Sequence, residues 1–81
     1  MFDYTHARNR AIEIAASYFA DWKLAAVEHR ANDERMYHAK YDAARQMAAL
    51  LDIDEETIQT TAWRKYGGEI AKAHEENNAT F

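Results

Sequence analysis

Between residues 5 and 30 the chain places apolar side chains around most of a helical circumference. At about 100° per residue, Ile12, Ala15, Phe19, Trp22 and Ala26 form one stripe, and Ile14, Tyr18 and Ala25 form a second beside it. Ala16, Ala20 and Val27 extend the apolar arc on the far side of Ile12. The remaining polar wedge is narrow: Arg10, Glu13, Ser17, Asp21 and Glu28, interrupted by Leu24. A surface helix needs only about a third of its circumference apolar, so this pattern predicts a helix covered on two or more sides. We read 5–30 as the central element and expect part of its surplus face to belong to another chain.

The positions that follow are also helical in period. Over 33–51, Met36, Tyr37, Tyr41, Ala43, Ala44, Met47, Ala48, Leu50 and Leu51 span about half a circumference, with Arg35, His38, Asp42 and Arg45 opposite. Asn32 reads as the N-cap of this second helix, and Asp33 and Glu34 favour the dipole of its first turn. A rival pattern crosses that break. Positions 12, 15, 19, 22, 26, 29, 33, 36, 40, 43, 47 and 50 keep a three–four spacing, which would make one continuous coiled-coil helix. His29, Asp33 and Lys40 spoil that seam, and the cap signal and ordinary helix lengths favour a hairpin turn over residues 30–33.

Asp52 or Asp54 then caps a third helix over 54–66, which carries Ile58, Ala62, Trp63 and Tyr66. Gly67 supplies the expected stop, and a short C-terminal helix over 69–76 follows with Ile70 and Ala73. Residues 77–81 read as a frayed end. At the other end, Asp3 or Thr5 can cap the first helix. The fold class predicted is therefore all-α: a small three- to four-helix bundle forming a single helical domain over 1–81.

Composition narrows the function. With no proline, two adjacent glycines and few β-branched residues, nothing competes with helix. A chain of 81 residues buries only roughly 60–65% of its unfolded surface, and with no cysteine it has no disulfide to compensate. Tight packing, a partner or self-association must therefore contribute. No run of about 18 apolar residues and no basic-then-apolar start is present, so we expect a cytoplasmic protein with no membrane contact. The net charge of −4 disfavours a general polyanion binder without excluding a local basic patch.

Candidate chemistry is sparse. Ser17 has no base at a fixed spacing, and neither a phosphate-cradling loop nor a dinucleotide fingerprint is present, so the chain is expected not to be an enzyme and to need no cofactor. Glu34, His38 and Asp42 stand at four-residue intervals, as do His29 and Asp33, and histidine with carboxylates suits divalent metals. Helix surfaces place opposite charges at this spacing routinely, so these read as solvated faces and no metal site is expected. Lys40, in the middle of the second helix's apolar arc, reads as a stem that packs while its ammonium reaches the edge. Tyr18, Phe19, Trp22 and Tyr41 read first as core. Trp22, Tyr18 and Tyr41 also lie at the margins of their arcs, which makes these four with Lys40 the candidate partner-binding residues.

The stretch 47–65 resembles a helix-turn-helix DNA-binding motif. Ala48 stands at the small position of its first helix, Leu51, Ile53 and Ile58 follow as apolar positions, and Asp54 would cap the recognition helix. Asp52 replaces the usual turn glycine and Thr61 a large apolar residue. The resemblance implies that Glu55, Gln59, Thr60 and Trp63 approach the major groove, with Arg45, Arg64 and Lys65 near phosphates. Two function classes follow. The first is a non-enzymatic acidic helical protein that acts by protein–protein contact, through a protein partner or a homo-oligomer, with a dimer as the expected state. In composition it is similar to small phage and mobile-element proteins, inhibitors such as anti-CRISPR proteins among them. The alternative is a small DNA-binding regulator.

Overall fold

A computed structural model describes residues 3–78, and every element in it is a helix: α1 (Tyr4–Val27), α2 (Ala31–Ala49) and α3 (Glu55–Asn78). Asp3 caps α1, its carboxylate accepting the His6 backbone N–H at 3.1 Å. The long alanine-rich run behind it contains no residue that would break a helix.

Two backbone closures set the topology. After Glu28, His29 takes a left-handed conformation (φ 58°); its N–H donates to Ala26 O at 3.2 Å, and the Arg30 N–H donates to Ala25 O at 2.9 Å. This is the Schellman arrangement, with histidine where glycine is usual. The chain therefore turns, and the continuous-helix pattern is overridden. Asn32 is not the cap: α2 begins at Ala31, and Arg30 precedes it without a side-chain capping bond. Arg30 instead donates to Glu28 at 2.9 Å and Asp33 at 2.6 Å, holding the turn from outside. The helix starts early because the closure returns the backbone to helical geometry at Ala31, two residues after His29.

The same device ends α2. Asp52 is left-handed (φ 59°), its N–H donates to Ala49 O at 3.1 Å, and the Ile53 N–H donates to Ala48 O at 3.2 Å. Residues 50 and 51 are thereby taken into the turn rather than the helix. Asp54 then caps α3, accepting the Thr57 N–H at 2.8 Å, and Glu55 and Glu56 occupy the first turn.

The expected stop at Gly67 and the separate helix over 69–76 are not found. Neither glycine has a positive φ, and α3 continues through both to Asn78. A helical glycine costs about 1 kcal/mol relative to alanine. What offsets that cost is packing further along: Ile70 is buried beyond the pair, and α3 keeps its contact with α1. Asn77 lies inside α3, its side chain donating to Ala73 O at 2.8 Å, while 79–81 fall outside the described residues.

α1 is central, as its pattern predicts. α2 and α3 each pack along α1 far more than on one another. The core joins Ile12, Ala15, Ala16 and Phe19 of α1 to Tyr41, Ala48, Ile53, Ile58 and Ala62. Alanines at the contact let the helix axes approach closely. Tyr4 ties the α2 exit to the start of α1, its hydroxyl donating to Leu51 O at 2.8 Å.

Candidate interaction surface

α1 wears two neighbours, and Ile12, Ala15, Ala16, Phe19, Ala20 and Ala25 are all buried. The expectation that α1 carries the surplus apolar face is therefore corrected. Its large apolar exposures are Tyr4, at the capped end, and Ile14, at 43%. The surplus sits on α2. One neighbour covers one side of a helix, and α2's apolar arc spans about half a turn, so the half away from α1 is left open. Met36 is 42% exposed, Met47 66% and Leu50 76%, with Ala39 and Ala43 exposed among them.

Met47 and Leu50 do not stand alone. With Ala11, Ile14, Ala44 and Leu51 they line a shallow groove of about 440 Å³ where α2 meets α1. Its walls carry no charged side chain. Lys40 rises beside it at the next turn, its ammonium 5.8 Å from the Tyr18 ring and 5.7 Å from the Tyr37 ring, in the cation–π range. Lys40 itself is exposed. Lys40 and Arg30 also act on Asp21, whose carboxyl partial burial pushes up and these two cations pull back down.

The other candidate partner residues divide. Phe19 and Tyr41 are each only 3% exposed and belong to the core. They meet edge to face with centroids 5.3 Å apart. Burial pushes the Tyr41 hydroxyl above its ordinary pKa, against a hydrogen bond from Gln59 Nε2 at 3.3 Å. Tyr18 and Trp22 are half-buried. Trp22 stacks on Tyr41 at 5.7 Å, takes His38 at 4.5 Å, and has the Lys23 ammonium 4.2 Å from its ring centre. It is thus enclosed by this chain's own groups on several sides. The sequence signal for Met36, Met47 and Leu50 was present in the three–four spacing, which describes a seam on α2 alone once the turn is placed at His29.

The residues assigned to nucleic acid divide into engaged and exposed. Arg45 donates to Asp42 and lies 3.3 Å from Glu55, and Lys65 lies 3.7 Å from Glu13. Gln59 donates to Glu55 at 2.9 Å. Thr60, Trp63 and Arg64 are exposed, with Trp63 set edge-on to Phe19 at 5.9 Å. Of the spaced acid–imidazole line, His38 lies on Trp22, and Asp42 binds Arg45 and Gln46. Among the described residues no group of three or more His, Asp or Glu is placed to hold a metal ion.

No protein-family model, curated protein or solved structure matches the chain. The α2 face must therefore be read from its own chemistry. It is apolar, shallow and next to one cation, which suits a protein surface better than a small polar ligand. Among the described residues no helix is long and apolar enough to cross a membrane.

Proposed function

We propose that this protein acts without catalysis, by protein–protein contact, and that the outer face of α2 makes the contact. The observation that carries the reading is the exposure of Met47 and Leu50 over an uncharged groove. Burying such a side chain is worth about 1.5–3 kcal/mol. With Ile58 the largest fully buried side chain among the described residues, that gain is available to a partner outside the chain. Both self-pairing and docking on a larger partner, in the manner of small phage-encoded inhibitors, draw on this one surface.

Photo-crosslinking tests it. A photoreactive side chain replacing Met47 should give a discrete protein adduct on irradiation in cells making the protein, while the same group at Glu75 should not. Equal adduct patterns from the two positions would overturn the reading.

A second reading, the DNA-binding regulator, is supported by the α2–α3 junction. Asp52 takes the left-handed conformation that a turn glycine would take, and Asp54 caps the following helix. Weighing against it, Arg45 and Lys65 are paired with acids and α3 opens with Glu55 and Glu56. Titration with random duplex at low salt decides this, because phosphate attraction should appear there even without sequence preference. Absence of binding eliminates the DNA reading.

A further inference from the structure

Resting on the contact reading, we propose that the occupant of the α2 face is a second copy of this chain, paired antiparallel about a two-fold axis passing Ala43. Met36, Lys40, Ala43, Met47 and Leu50 follow one another at intervals of four, three, four and three. That is the seam period of two helices wound together. Each of these residues is exposed, with the Lys40 ammonium reaching back over the Tyr18 ring of α1.

Three properties of the stripe favour its own copy. The first is area. Met36 is 42% exposed, Met47 66%, Leu50 76% and the neighbouring Ile14 43%, and an isologous pair counts each of them twice toward the roughly 1,000 Å² that a specific interface needs. The second is charge. The seam carries no carboxylate, and its single charged member is Lys40, so the face offers a partner little to recognise except apolar shape. The third is the order of large and small residues. Ala43 at the centre and Ala39 beside it let two helices approach closely, while Met36 at one end meets Leu50 of the second copy at the other.

Lys40 sets the direction. In a parallel, in-register pair it would face its own copy across an apolar seam, with two ammonium groups and no acid between them. In the antiparallel pair it faces Met47 of the second copy, and its ammonium stays at the edge over Tyr18 and Tyr37. A single polar seam residue acting on register and direction is a known use of such positions.

The chain has no cysteine, so introduced ones report cleanly. Sedimentation and light scattering of the purified protein from micromolar to millimolar concentration should give twice the 9.4 kDa chain mass. Met47→Glu with Leu50→Glu should give a monomer of unchanged helix content, with association weakened by more than about tenfold per residue. Under mild oxidation Ala43→Cys should link to itself, since the axis brings the two sites together, whereas Met36→Cys should link only to Leu50→Cys in a mixture. A wild type that stays monomeric at millimolar concentration overturns the pairing. If the photoreactive group at position 47 still captures a different protein, the contact reading survives that failure. Self-linking of Met36→Cys as fast as that of Ala43→Cys overturns the antiparallel direction.

Discussion

α1 and α2 make an instructive pair. Both are alanine-rich, both carry aromatic residues, and α1 has the wider apolar arc by sequence. Yet α1's arc ends up mostly covered, with Tyr4 and Ile14 its large exposures, while α2, with the narrower arc, leaves Met36, Met47 and its cap residue Leu50 in solvent. Exposure here follows from the number of neighbours a helix has, and topology gives α1 two and α2 one. A helix's own hydrophobicity states how much cover it needs and says nothing of how much it receives. The α2 face is legible only after the turns are placed.

The comparison can be broken most forcefully at Phe19. It touches Trp22 of its own helix, Tyr41 of α2 and Trp63 of α3, and Phe19→Ala should cost about 3–5 kcal/mol in urea unfolding. A loss of under about 1 kcal/mol would mean that α1 is not the packed centre. A matched insertion sharpens the contrast. Ala16→Leu on α1 enters a fully buried site and should cost about 1–3 kcal/mol, whereas Ala43→Leu on α2 should change monomer stability by no more than about 0.5 kcal/mol. Similar losses from both would show that α2's outer side is covered after all.

α3 supplies smaller effects. A Cβ at Gly68 would meet nothing within 4 Å, and the residue is helical, so Gly68→Ala should stabilise by about 1 kcal/mol in thermal unfolding. Destabilisation there would return the glycine pair to the role of a helix stop. The smallest effect is electrostatic and lies at the cap. The Thr57 side chain and backbone N–H bonds to Asp54 hold its carboxyl below the ordinary aspartate range. A folded pKa below the unfolded one adds stability above the unfolded value, and that stability disappears as pH falls through the folded value. Denaturant midpoints measured below pH 4 should therefore fall less steeply for Asp54→Asn, which keeps the acceptor without the charge. An unchanged acid slope would separate the cap from acid stability.

Much of this fold is written locally. The periods of Ile12 to Phe19 and of Tyr41 to Ala48 mark two inward faces, and the acids at 33, 34, 55 and 56 mark two helix starts; all four lie where the structure has them. Helix ends were less legible. Both reversals use non-glycine residues in left-handed conformations, His29 and Asp52, while the two real glycines sit inside a helix. A reading that equates glycine with a stop therefore misplaces both kinds of position. Packing gain downstream, at Ile70, outweighs local propensity at Gly67 and Gly68. The exposed face of α2 was obscured for a different reason. The margins of an apolar arc draw attention to tyrosine and tryptophan, but aromatics can be enclosed by neighbours, as Trp22 is by His38, Lys23 and Tyr41. Methionine and leucine beyond the neighbour's reach are the ones left open.

The closure at His29 also bears on timing during synthesis. Its two hydrogen bonds span at most five residues, and the groove that Met47 lines is walled by α1, α2 and the turn residues Leu50 and Leu51. Reversals of such short reach form early, ahead of contacts between distant segments. Once Ile53 has left the ribosome, every residue of the contact face has been made, with α3 still to come. If the chains pair as proposed, neighbouring nascent chains on one message carry that surface before either domain is complete.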